Sequence, residues 1–589
     1  MATSVQAEPP GGATSAGDHG AAAARDGAPA WPLPRRAIDH LTLDTPAATR
    51  LYWTAVALVI SGLFVTRLLP CVDYAQHLAL SDVARRLSDP AAPEQAAYQL
   101  NYFTYNGLFH VLVAWLARVV PIELAGRVVV ALSLAGMAGA VLALVKVLRR
   151  PPVHAALFTP ILFSYSLGWG FVNYVLATTL AAWTLVFIAR AVLRPTLLAL
   201  LAVGALGLAC AFAHVLAMLV LCLAAAGLAL ELAWRTVEGP HRLPRVALRA
   251  AVAVLPLLVG CVYCIAVYKR QYVWDPNMYR DPTLEGTAPP LWEKLTWFAA
   301  FATDLFWDAT DQIILWASIA LMVVAEGLSL RQRRAGNAVH EESPPILLPF
   351  VLLTLAYFAT PMVLVGTHLI FPRLAQWAVL GAVLAMPRFP ATVGAPARRW
   401  PLRAVLRLMG TETLARRWIL GVALVAGVDV VLHCALYAYE TNDASLVIDD
   451  LPPGQSATAV IWEPGTWSFR NGTLTHLAAY YAARKHGQWA FAFARYLSVP
   501  VRFRPGAQPA WPAKGWEFRG QDYDPRCKYA RAFPLVIVKA PKGLPRDASG
   551  EAQVREVVFK QDAPAVRLLS HHGRYWAFDT RGLPDDGTL

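Results

Sequence analysis

Asp73 and His77 stand four residues apart in Val72-Asp73-Tyr74-Ala75-Gln76-His77-Leu78. Residues i and i+4 are neighbours on a helix, so a carboxylate and an imidazole would share one face. Those two groups side by side can take up and hand on a proton. Leu80, Val83, Ala84 and Leu87 follow at i, i+3, i+4 and i+7, an apolar stripe at helical spacing. The pattern predicts a short helix lying on a membrane surface, with Asp73 and His77 at the end nearest the apolar run before it. An ordinary surface helix has the same spacing, with Asp82 paired to Arg85 or Arg86. The rest of the chain must decide whether the pair does chemistry.

The chain of 589 residues is 57% apolar and 15% charged, with a net charge of +13. That composition belongs to the membrane class. The basic residues form short clusters between apolar runs, a pattern that reports topology and anionic lipid and no nucleic acid. A span needs about 20 apolar residues. About eleven runs qualify, near 51–69, 122–147, 153–169, 171–189, 196–213, 215–233, 250–268, 312–330, 346–366, 372–387 and 418–438. Arginine and lysine crowd every second connection, at 35–50, 146–150, 190–194, 235–249, 331–334 and 388–417. The N-terminus is therefore expected in the cytoplasm and the C-terminus outside.

The remaining connections would face outside. They carry Asp73 and His77, Asn173 in Gly168-Trp169-Gly170-Phe171-Val172-Asn173-Tyr174, His214 between two spans, Asp304 and Asp308 in the long connection 269–311, and His368 with Arg373 near 366–373. Interfacial anchoring explains each of these alone. Their convergence on one face, roofed by two long outer connections, predicts a site. Asp429 and His433 lie i, i+4 inside the last span, where ionisable groups are costly. They fit either a proton relay or a structural pair that fixes helix packing.

Residues 1–45, rich in Ala, Gly, Pro and Ser, are expected to form a disordered cytoplasmic tail. Residues 46–439 would be the transmembrane domain, with a first outer loop at 71–121 holding a second amphipathic candidate, 103–120. Residues 440–589 read as an extracytoplasmic α/β domain. Its strand-like runs are 445–448, 457–462, 534–538 and 555–559, with a helix at 477–485. Cys71 and Cys527 flank aqueous segments, so a disulfide between them is one option. Asn471-Gly472-Thr473 matches a glycosylation sequon. No glycine-rich nucleotide motif, zinc pattern, nucleophile elbow or internal repeat is present.

With an acid just after the first span, a surface-helical first outer loop, the Ser164–Tyr174 stretch and a C-terminal extracytoplasmic domain, the chain resembles the C-type glycosyltransferases (GT-C). The resemblance implies an α-helical polytopic membrane enzyme that moves a sugar from a polyprenyl-phosphate donor, with inversion, to a glycan, lipid or protein acceptor. It implies Asp73 as general base, His77 orienting Asp73 or binding acceptor, and Arg373 with His368 at the donor phosphate. Asn173, His214, Asp304 and Asp308 are further site candidates. The acid here is single where that family often has an Asp-Glu pair, so no cofactor is assigned and a divalent metal ion stays open. The location implied is an integral membrane protein of a bacterial inner membrane, its C-terminal domain periplasmic or extracellular. Two other readings compete. One is a transporter or flippase, suggested by Asp429 and His433. The other is a non-catalytic protein of envelope assembly.

Overall fold

The computed structural model describes residues 41–271, 286–334, 345–364, 367–387, 412–509, 512 and 515–583. The tail through residue 40, residues 272–285, Gly366 and the arginines between 388 and 407 lie outside the described residues. Helices α1 (Pro46–Val65), α2 (Tyr74–Arg86), α3 (Leu108–Leu116), α4 (Ile122–Val147), α5 (Val172–Leu193), α6 (Leu197–Ala213) and α7 (Val215–Thr236) come first. They are followed by α8 (Arg242–Val254), α9 (Leu258–Gln271), α10 (Thr310–Arg334), α11 (Leu348–Ala359), α12 (Ile370–Ala385), α13 (Glu412–Asp450), α14 (Leu477–Lys485) and α15 (Glu551–Phe559). Among the described residues, six helical stretches are long and apolar enough to cross a membrane, α8 and α9 counting as one, and four shorter apolar helices accompany them. Leu132, Leu198, Leu219 and Val262 stand exposed on their flanks, as lipid-facing side chains do. The chain is an integral membrane protein of helical, polytopic architecture with a C-terminal α/β region.

One expected span is not an α-helix. Residues 153–169 form a 3-10 helix, Pro152–Ile161, then a short helical turn, Tyr165–Gly168. Three prolines account for this: Pro151 and Pro152 open the segment and Pro160 sits inside it, and proline breaks the α-helical hydrogen-bond ladder. The segment nevertheless joins opposite ends of the bundle. Arg150 donates to the Met386 carbonyl at the far end of α12, while the Gly168 carbonyl accepts from Val72 N (2.9 Å) beside Asp73. Every residue from Val153 to Ile161 is buried. Irregular backbone at membrane depth requires this, because lipid offers its polar groups no partner.

The helix at 74–86 forms, but it does not lie on a surface. Tyr74 through Ala84 are all buried, and α2 is packed by α3, α4 and α14. Sequence periodicity detects an apolar stripe but cannot tell lipid from protein as what covers it. Asp82 is fully buried, with Arg85 (2.7 Å), Arg86 (2.9 Å) and His486 (3.1 Å) around its carboxylate. The second amphipathic candidate forms as α3, shorter than 103–120.

The C-terminal region is stitched to the first loop. Its four-stranded sheet has the order β2-β4-β6-β5, from β2 (Ala457–Ile461), β4 (Leu535–Lys539), β5 (Arg567–His572) and β6 (Tyr575–Asp579). β2 and β4 run parallel, and the other pairs are antiparallel. Alternate residues Val536, Val538, Trp576 and Phe578 enter one core with Trp516, Phe491 and Val558. A second, two-stranded sheet pairs β1 (Tyr98–Leu100), from the first loop, with β3 (Val501–Phe503), Tyr98 opposite Phe503. The chain does not break at residue 440: α13 continues to Asp450, so 445–448 is helical. Residues 555–559 are helical as well, in α15. Both stretches are short apolar runs that suit strand or helix alike. Residues 41–45, placed in the tail by composition, pack on α1 through Leu43 and a bond from Trp53 Nε1 to the Leu41 carbonyl (2.8 Å). Cys71 and Cys527 are both free thiols. Thr473 of the sequon is buried.

Gly170 pins the two halves of the site together. Its φ is +80°, and a Cβ there would lie 2.4 Å from Asp73 N and 2.6 Å from Tyr74 N. Both contacts are backbone, which cannot swing aside. Gly170→Ala is therefore expected to lower stability by at least ~2 kcal/mol. Gly421→Ala, on α13 with nothing within 4 Å of the new methyl, is expected to be neutral or slightly stabilising. Thermal unfolding of both variants in one detergent checks this; equal midpoints would contradict it.

Candidate active site

Asp73 occupies the N-cap position of α2, where an aspartate side chain usually accepts from the first backbone N–H groups. Here it makes no such bond. The backbone does the positioning: Asp73 N donates to the Trp169 carbonyl (3.1 Å), and His77 N donates to the Asp73 carbonyl (3.2 Å). The carboxylate is released toward His476, whose Nε2 lies 3.2 Å from Asp73 Oδ1. His476 Nδ1 is 3.1 Å from Glu517 Oε1. Gln76 braces the ring from beside. Its Oε1 accepts from Trp489 Nε1 (2.7 Å) and Phe493 N (3.2 Å), which fixes the amide so that Nε2 donates to the Phe491 carbonyl (3.0 Å).

His476 and Glu517 had no signal in the sequence. They lie far along the chain from Asp73 and belong to no local pattern. His77, expected either to orient Asp73 or to bind acceptor, does not touch that carboxylate in the described contacts; His476 does. His77 instead joins His110 and Asn173. His110 Nδ1 lies 2.7 Å from the Asn106 carbonyl, which can only accept, so Nδ1 carries the proton. Burial holds the His110 pKa down at about 4. Neutral His110 then offers Nε2 as an acceptor to His77 Nδ1, 3.1 Å away. Burial and the neighbouring His110 hold His77 well below its ordinary value too. Its Nε2 consequently keeps a lone pair. Asn173 Nδ2 approaches the same His77 nitrogen at 3.4 Å, and Asn173 Oδ1 is buried with no hydrogen-bond partner.

Arg373 and His214 form the opposite wall. Arg373 is on the first turn of α12, 6% exposed, with its guanidinium 3.7 Å over the Phe171 ring. Nη2 donates to the His368 carbonyl (3.2 Å), and Nε is buried with no partner. Nη1 lies 3.3 Å from His214 Nε2. That approach is not a satisfied bond. His214 Nδ1 accepts from Leu216 N (3.2 Å) as the cap of α7, so the ring proton is on Nε2. Two N–H donors meet there with no acceptor between them, and among the described residues no carboxylate pairs with Arg373. A buried cation left in this state is costly and favours an anion.

Asp73, His77, Asn173, His214 and Arg373 line one cavity of about 400 Å³. Phe171, Tyr174, Leu216, Leu219 and Ile370 supply much of its apolar wall. His368, expected at the donor phosphate, is not among the lining residues; its backbone carbonyl accepts from Arg373 Nη2. Asp304 and Asp308 lie elsewhere. Asp304 pairs with Arg470 (2.9 Å) and accepts from Gln312 (2.6 Å). Asp308 lies 3.2 Å from His433 Nε2, and His433 Nδ1 lies 3.4 Å from Asp429. Thr310 bonds both carboxylates, and His433 stacks on Phe306 at 3.8 Å. This second cluster locks α10 to α13 and adds no residue to the cavity lining. Among the described residues no group of three or more His, Cys, Asp or Glu side chains is arranged to hold a metal ion.

The Asp73–His476–Glu517 row carries a pH signature. Burial alone would lower the His476 pKa, but the hydrogen bond that His476 donates to Asp73 and the charges of Glu517 and Asp73 outweigh it, so the net shift is upward from 6.5. Burial raises Glu517 above 4.5. A raised histidine stabilises the fold fully below its unfolded pKa and loses that contribution as pH rises through the folded one. Glu517 acts in the same direction, beginning lower. His77 and His110, with lowered pKa values, add stability as pH rises, so the His476 contribution is read as a difference: the midpoint of the parent relative to His476→Gln should fall as pH rises through the folded His476 pKa. A difference that stays constant with pH would show that His476 is not charged in the fold.

No protein-family model and no curated protein matches the chain. Solved structures do: ArnT from Cupriavidus metallidurans bound to undecaprenyl phosphate, at 13% identity and a TM-score of 0.49 over 91% of this chain and 98% of that one, and the same protein in the apo state, at 13% identity and 0.46 over 90% and 97%.

Proposed function

We propose that this membrane protein is a glycosyltransferase that moves a sugar from a polyprenyl-phosphate donor to an acceptor outside the cytoplasm. The observation that carries this reading is the pair of donors on Arg373 and His214, buried without an acceptor in the cavity that also holds the Asp73 carboxylate. A phosphate ester fits the donors: its oxygens accept several N–H bonds, and arginine grips it as a fork. The apolar wall suits the first isoprene units. Asn173 Oδ1 and His77 Nε2 supply acceptors for sugar hydroxyls.

The step follows from these positions. With Oδ1 held by His476, Asp73 presents Oδ2 as general base and takes the proton of the acceptor hydroxyl. The acceptor oxygen forms a bond to the anomeric carbon from the face opposite the phosphate. The bond from that carbon to the phosphate oxygen breaks, its electron pair stays on the phosphate, and Arg373 and His214 stabilise the added charge. Displacement from the opposite face inverts the anomeric carbon. The transporter reading loses its motive, because Asp429 and His433 are tied to Asp308 and Thr310 apart from the cavity. The alternation of basic connections supports an extracytoplasmic site. Reporter fusions should place 388–417 in the cytoplasm and 450–589 outside; an active cytoplasmic reporter after Leu589 would reverse the orientation.

Two substitutions separate the roles. Asp73→Asn should cut turnover of a lipid-linked sugar by at least about 100-fold in a protein that still folds, with a somewhat lower unfolding midpoint because the partner that raises the His476 pKa is lost. Parental turnover would remove Asp73 as base. Arg373→Lys keeps the charge but lacks the fork, so affinity for polyprenyl phosphate should drop at least about tenfold, ~1.4 kcal/mol. Calorimetry in neutral detergent measures this; equal affinity would leave Arg373 as an anchor only.

A further inference from the structure

A second cleft, of about 600 Å³, opens where α1, α2, α4, α13 and α14 meet. α2 separates it from the first cavity: Asp73 and His77 near its start line one, while Asp82 and Arg85 near its end line the other. Arg67, Arg85, Arg127, Arg484 and Lys485 face the cleft against the carboxylates of Asp82, Glu123 and Asp449. The carboxylates are already engaged. Asp82 is held by Arg85, Arg86 and His486. Glu123 and Asp449 are held by Arg484, at 2.6 Å and 3.0 Å.

Three cations are left under-compensated. Lys485 Nζ donates to the Asp449 backbone carbonyl (2.7 Å). Arg67 reaches Asp449 at 3.4 Å with both side chains about half exposed. Arg127 donates to the Arg67 carbonyl, and its Nε is buried without a partner. The rim is apolar. Val120, Pro121 and Ile122 line it, and exposed Trp115, Val119 and Leu124 continue it down the outside of α3 and α4. Cationic donors beside a strip of exposed apolar side chains at the mouth of a spanning helix match a phosphate that carries acyl chains.

We propose that this cleft binds the head group of one anionic phospholipid, its phosphate between Arg67 and Arg127 and its chains along Val119 and Leu124. The site is separate from the donor cavity and does not depend on the glycosyl-transfer reading. The lipid would brace the end of α2 that is opposite Asp73.

Native mass spectrometry of the full chain in neutral detergent tests this with phosphatidylglycerol, phosphatidylcholine and inorganic phosphate as probes. The parent should retain phosphatidylglycerol in preference to phosphatidylcholine. Arg67→Gln/Arg127→Gln should weaken that retention at least about tenfold, and Arg67→Lys/Arg127→Lys should preserve it. Arg373→Lys should leave it unchanged. Parental retention by the glutamine variant overturns the site. Loss of the adduct in Arg373→Lys assigns it to the donor cavity and overturns the proposal. Displacement of the lipid by millimolar inorganic phosphate overturns the lipid as occupant, because the apolar rim would then contribute nothing.

Discussion

The carboxylate of Asp73 stands at the start of a helix and is denied its usual bond to that helix. The rest of the site depends on this constraint. The Trp169-Gly170 turn holds the Asp73 backbone, so the side chain is not needed as a cap. His476, from the C-terminal region, takes one oxygen and leaves the other. The base proposed here must be oriented without being used up, and three separated stretches of chain hold Asp73. The buried crossing segment 152–169 places the turn, because its prolines forbid the α-helix that would have carried residue 168 elsewhere.

The opposite wall obeys a matching rule. Arg373 and His214 are both donors toward one point, and Leu216 N fixes the tautomer that makes them so. Burial without an acceptor is a cost that a folded protein bears only where something offsets it. A phosphate arriving from the lipid side would satisfy both at once. Acid and cation are thus kept apart by the cavity they line. Neither neutralises the other, as a direct salt bridge would.

Much of this was legible in the sequence, for stated reasons. Hydropathy marked the spans because lipid imposes length and polarity directly. The basic alternation assigned Asp73, His77, Asn173, His214 and Arg373 to one face, and these five share a cavity. Three things were hidden. The crossing at 153–169 looks like a span by hydropathy, since burial in protein and burial in lipid select the same side chains. Asp304 and Asp308 have the same polarity and the same expected topology as the site residues and differ in partners, Arg470 and His433, which no local pattern encodes. His476 and Glu517 reach Asp73 across 403 residues of sequence in the first case, through a β1–β3 pairing and an α2–α14 contact that periodicity cannot predict.

The most direct test is an experimental structure of the protein with a polyprenyl phosphate bound. The account predicts the phosphate within about 3 Å of Arg373 Nε or Nη1 and of His214 Nε2, with the lipid chain leaving the cavity past the apolar wall and the sugar-bearing side facing Asp73. A phosphate found elsewhere, with Arg373 still against His214, would contradict it.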